Sequence, residues 1–141
     1  MQLEFVETVE AGFRALTPNL RELADRFYAH LFSRFPGLRA EFPRDLTETK
    51  QRFVATLTLV VRHARAHEAL RPALLQMGHE HGACGMQPDH YTLVRDLLLE
   101  ILGDMLAPEW NEQVQYAWSR AINYATAVMS EGMCEPTLMY A

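Results

Sequence analysis

Lysine is almost missing from this 141-residue chain: Lys50 is the only one, and every other fixed cation is an arginine. The arginines form no run of like charge, and thirteen Lys and Arg stand against eighteen Asp and Glu, a formal charge of −5. A phosphate-backbone partner needs a clustered basic surface, so no nucleic acid partner is expected. Long apolar runs are also missing. The longest, Leu97 to Leu102, is broken by Glu100 and falls far short of the ~20 residues that cross a bilayer. Glu4, Glu7 and Glu10 interrupt the N-terminal apolar positions, where a secretory leader would be basic and then uniformly apolar. Cys84 and Cys134 are too few for a disulfide framework, so two free thiols are expected. These absences predict a soluble, cytoplasmic protein with no membrane insertion. Strict alternation of apolar and polar residues is absent as well, which excludes β-strands, and no internal repeat or low-complexity tract occurs.

What is present is helical spacing of apolar residues along nearly the whole chain, at 49% apolar content, enough for one continuous core. The fold class read from this is all-α, with residues 1–132 as one domain and 133–141 as an aperiodic C-terminal tail. The first helix should cover Gln2 to Leu16 and stop before Pro18. Asn19 is placed to cap a second helix to about Phe35, burying Leu20, Ala24, Phe27 and Leu31 beside a stripe of Tyr28, Phe32 and Phe35. A short turn from Leu38 to Phe42 leads to Thr47 as cap of a third helix ending near Ala64, with Thr49 on the face of Phe53, Leu57 and Val60. After a loop around His67, Pro72 should open a short helix that carries Leu74, Met77, Gly78 and His81 on one side. Pro88 then opens a helix with Tyr91, Val94, Leu98, Ile101 and Met105 inward, closed by Gly103 and Pro108. The last helix should run from Pro108 to Gly132.

Histidine 81 carries the chemistry. A neutral imidazole on a rigid element facing an apolar slot can ligate a haem iron, and His81 meets that description. Two other readings stay open for it: a core histidine bonded to a backbone carbonyl, and a zinc cluster with His79 and Cys84, whose spacing fits no closed site. Tyr91 can orient the His81 ring through its second nitrogen, or simply pack in the core. A hydroxyl donor in an otherwise apolar pocket stabilises the partial negative charge of oxygen on a ferrous iron. Tyr28 can be that donor, or an ordinary half-buried tyrosine. Phe42 and Phe53 can wall a porphyrin or belong to the core, and Thr49 is either a weaker donor or a solvent-facing residue.

The ordered set of Arg26-Phe27-Tyr28 with Leu31-Phe32, Pro36 to Phe42, Leu57 to Val61, Leu70 to Leu75, and above all His81 to Tyr91 running into Leu93-Val94 and Leu97-Leu98 resembles the bacterial haemoglobins of the flavohaemoglobin and single-domain globin group. Ala117-Trp118 and Ala127-Val128-Met129 extend the likeness, which spans Phe13 to Met129. The resemblance implies a globin fold, a helical sandwich enclosing a b-type haem held by His81, with Tyr28 as the distal hydroxyl and Phe42 as the haem-contacting phenylalanine. It places the distal-helix position, often glutamine in this group, on Thr49, with Lys50 or Gln51 there if the register slips. The glutamate that joins the proximal histidine and tyrosine in flavohaemoglobins falls at Met133; Glu131 and Glu135 do not match in register. Glu80 stands where a basic residue often precedes the histidine.

The function this implies is reversible binding of oxygen and of the other diatomic gases NO and CO, by a monomer or homodimer. Conversion of NO and oxygen to nitrate is the alternative. No G-x-G-x-x-G dinucleotide fingerprint occurs, so that activity would draw electrons from a separate reductase. A haem-based gas sensor and a haem-free helical interaction domain are the remaining readings.

Overall fold

The computed structural model describes residues 3–83 and 89–133, and every regular element among them is helical. Six α-helices follow in order: α1 Leu3–Leu16, α2 Leu20–Arg34, α3 Thr47–Arg65, α4 His67–Ala83, α5 Asp89–Leu106 and α6 Glu112–Met133. Two 3₁₀ turns, Thr17–Asn19 and Pro36–Glu41, follow α1 and α2. The all-α expectation is met, and no described helix is long and apolar enough to cross a membrane. The expected tail beyond Met133 lies outside the described residues, as does Pro88.

The apolar stripes read from the sequence form one core, with adjustments that follow from packing. Helix α2 buries Leu23, Ala24, Phe27, Tyr28 and Leu31, a stripe wide enough to meet α3 on one side and α5 on the other. Leu20 is only partly buried, and Phe35 is 37% exposed, outside α2. Its N–H donates to the Leu31 carbonyl and ends the helix.

The expected start of α2 holds except for its capping bond, and three other helix boundaries differ from expectation, each for a local reason. Asn19 holds the cap position of α2, but its side chain makes no cap hydrogen bond. Leu46 rather than Thr47 takes the cap position of α3 and makes no side-chain cap bond, while one carboxylate oxygen of the preceding Asp45 accepts the Thr47 N–H at 3.0 Å and its hydroxyl at 2.7 Å, which holds the Asp45 carboxyl below its usual range. The expected loop around His67 is absent. Ala66 alone bends between α3 and α4, its carbonyl accepts the Leu70 N–H, and Pro72 therefore sits inside α4. That position forfeits one backbone hydrogen bond, offset by complete burial of Leu74 in the next turn. Gly103 does not close α5 either. It forms the seat for the Trp110 indole, and the turn through Trp110 delays α6 to Glu112, where the Asn111 side chain accepts the Val114 N–H at 2.9 Å.

Helix α4 packs on α6 with the two backbones in close contact. A Cβ on Gly78 would fall on the carbonyl of Met129, and one on Gly132 would fall on the carbonyl of Leu75. Each helix thus seats a backbone of the other in a glycine notch. An Arg71–Glu131 ion pair closes the outer end of the crossing. This contact fixes the height and rotation of α4, and with it the direction of His81 one turn beyond Gly78.

Candidate functional site

The sequence-derived site residues fall into two groups. Tyr28, Phe42 and Phe53 form the first, brought together from α2, the turn after it, and α3. Tyr28 is 8% exposed, and its ring stands edge-on to Phe42 at 5.9 Å and to Phe53 at 5.8 Å. Phe27 and Phe32, which belong to the stretches that carry the resemblance, complete the cluster: Phe27 stacks on Phe53 at 4.6 Å, and Phe32 meets Phe42 at 5.2 Å. Burial alone pushes the Tyr28 hydroxyl up to about 12, with no charge or hydrogen bond offsetting it. It stays a neutral O–H, able to donate, across the physiological range.

Arg39 positions Phe42, a role no sequence signal announced. Its guanidinium donates to three successive carbonyls, those of Phe42 at 3.5 Å, Pro43 at 2.9 Å and Arg44 at 2.8 Å, and covers the Phe32 ring at 5.3 Å. The three candidates at the start of α3 separate by environment. Thr49 is half-buried one turn before Phe53, Gln51 is exposed, and Lys50 reaches sideways to Asp25 on α2 at 2.9 Å.

His81 and Tyr91 form the second group. Nδ1 of His81 lies 3.0 Å from the Tyr91 hydroxyl oxygen, and Tyr91 is 6% exposed. Burial lowers the His81 pKa, while the neighbouring Glu80 charge opposes that shift, so the ring is neutral at pH 7. Burial pushes the Tyr91 hydroxyl up to about 12, which keeps it un-ionised. When Nδ1–H donates to this oxygen, Nε2 keeps its lone pair free, the tautomer a metal-ligating histidine requires. Met133, where the resemblance placed the joining glutamate, is a partly buried apolar residue, and Glu131 is committed to Arg71. Cys84, Cys134 and Glu135 lie outside the described residues.

Helix α2 packs against α5 and α3 against α4, so both groups belong to one core. The donor set fits a haem. It consists of one neutral imidazole with an oriented Nδ1, two phenylalanines able to flank a flat apolar macrocycle, and a buried hydroxyl. Buried His63 on α3, 4% exposed, was not anticipated; burial, then the neighbouring His67 and Arg71, lowers its pKa.

A globin family model matches residues 25–129. The chain is 28% identical over 109 residues to a flavohemoprotein of Vibrio cholerae, covering 75% of this chain and 28% of that protein. It therefore spans somewhat under a third of that relative's length. Among solved structures, a bacterial globin from Campylobacter jejuni superposes with a TM-score of 0.84 at 18% identity, over 99% of each chain. An engineered carbene transferase, a putative nitric oxide dioxygenase from Rhodothermus marinus, superposes with a TM-score of 0.83 at 24% identity, over 99% of this chain and 96% of that one.

Proposed function

Because the chain belongs to the globin family, with its all-α fold, we propose that it holds a haem b through His81 and reversibly binds oxygen, NO and CO. The observation that carries this reading is the 3.0 Å approach of His81 Nδ1 to the Tyr91 hydroxyl, a contact that leaves Nε2 free when Nδ1 carries the proton. When bound, the haem supplies an iron that takes up diatomic gases and exchanges electrons.

The protein's own side chains do the rest. Tyr91 fixes the tautomer and rotation of His81. The glycine notch under Gly78 sets the distance of the imidazole from the opposite helices. Phe42 and Phe53 exclude water and present apolar faces to the pigment. Tyr28 supplies a hydroxyl beside Phe42 and Phe53, and where those rings keep water out its O–H favours a ligand that gathers negative charge, oxygen over CO. Thr49 adds a weaker donor from α3.

A second reading, conversion of NO and oxygen to nitrate with a separate reductase, draws support from the flavohemoprotein relative and from the same Tyr28 donor. Both readings are tested together. Hemin titration followed by spectra of the ferric, ferrous and CO forms should show one saturable pigment per chain. Mixing the oxygenated protein with NO oxidises the iron once and gives one nitrate per chain in either case; with a reductase and its reductant added, nitrate should keep forming over many turnovers if the second reading holds, and stop at about one per chain if the protein only carries gas.

A further inference from the structure

Two successive rungs join α2 to α3. The inner one is aromatic: Phe27 and Tyr28 against Phe53. The outer one is ionic: Lys50 Nζ lies 2.9 Å from Asp25 Oδ1, with the two side chains 32% and 50% exposed. Asp25 precedes Tyr28 by three residues and Lys50 precedes Phe53 by three, so each charged residue lies one helical turn outward from its aromatic counterpart, near the same helix face. The outer rung is half-exposed while Phe27 and Tyr28 are buried, so the ion pair covers the solvent side of this part of the α2–α3 contact.

The backbone here is fixed. Asp45 accepts the Thr47 N–H where α3 begins, and the Lys50 N–H donates to the Leu46 carbonyl at 2.8 Å. What can swing is the long Lys50 side chain, tethered at its tip alone. An apolar rung cannot open without exposing carbon to water, whereas a half-exposed ion pair exchanges its partner for water at little cost.

We propose that the Asp25–Lys50 pair is an electrostatic latch over the seam between α2 and α3, and that it sets how readily small ligands reach the Tyr28 hydroxyl. This rests on the reading of Tyr28 as the donor of a gas-binding site. Asp25 and Lys50 act as positioning residues that touch neither pigment nor gas. A pair this exposed shifts the balance between closed and open seam by no more than about fivefold, so its effect belongs in entry and exit rates together and not in affinity.

The test is flash photolysis of CO from the hemin-loaded full chain. Lys50→Met and Asp25→Asn should each speed CO rebinding by about two- to fivefold. The double variant should be no faster than either single one, because one interaction is lost in all three. Lys50→Arg keeps the charge and should retain the wild-type rate. In roughly 1 M salt, where the screening length is about 3 Å, the wild type should approach the variants. A second readout needs no pigment: Lys50 is the chain's only lysine, and its acylation by an amine-reactive ester should be faster in Asp25→Asn. Wild-type rebinding rates in both single variants, multiplied effects in the double, or unchanged acylation would each overturn the latch. A protein that takes up no hemin would instead remove the gas-site reading and the latch with it; normal spectra with unaltered rates remove the latch alone.

Discussion

Gly78 on α4 lies directly against Met129 on α6, so closely that a single added carbon would collide with the Met129 carbonyl. A carbonyl held in a helix cannot rotate away, so Gly78→Ala must push the helices apart. The expected cost is at least about 2–3 kcal/mol, read as a lower urea midpoint. Hemin affinity should fall as well, since His81 follows on the next turn. Gly37→Ala is the control: nothing lies near its Cβ, and stability should stay within about 0.5 kcal/mol.

Tyr28→Phe should separate stability from function. Its removal breaks no hydrogen bond seen among the described residues, so the stability of the pigment-free protein should change by no more than about 1 kcal/mol. In the haem-loaded protein the same change removes the donor, and oxygen should leave about tenfold to a hundredfold faster, while CO release changes little. Unchanged oxygen release would take Tyr28 out of the site.

Tyr91→Phe removes the partner of His81 Nδ1 while keeping the ring. Hemin loss should accelerate about tenfold to a hundredfold, and the iron–histidine stretching band should move to lower frequency. A band at the wild-type position would mean that Tyr91 only packs.

Stability should fall at both ends of the pH scale. Tyr28 and Tyr91 hold their protons to about 12 when folded, against 10.0 for the ordinary group. Above pH 10 the unfolded chain therefore loses these protons first, and stability declines until about pH 12. The double Phe variant should lack this slope in urea unfolding. On the acid side the folded pKa values of His63 and His81 lie below 6.5. Their contribution is complete above pH 6.5 and is lost as pH falls through the folded values, because the unfolded state protonates first.

Periodicity made the helices legible, along with most of the buried faces, because a 3.6-residue stripe reports a one-sided environment directly. It could not report that Pro72 sits inside α4 or that Gly103 seats Trp110. In both places a residue type that usually breaks helices is retained by tertiary packing. The pairing of His81 with Tyr91 and the grouping of Tyr28 with Phe42 and Phe53 were anticipated residue by residue. The role of Arg39 was not, since three carbonyls gathered by one guanidinium leave no pattern in side-chain order. Nor was the Asp25–Lys50 pair, whose partners are 25 positions apart on different helices.

The central claim, that the imidazole of His81 carries the pigment, is tested most directly by replacing that side chain and supplying it in solution. His81→Gly loaded with hemin should lose the one-to-one saturation and sharp CO-bound Soret band of the wild type, and added imidazole should restore the band. A His81→Gly protein that binds hemin with the wild-type spectrum and no need of imidazole would contradict the account.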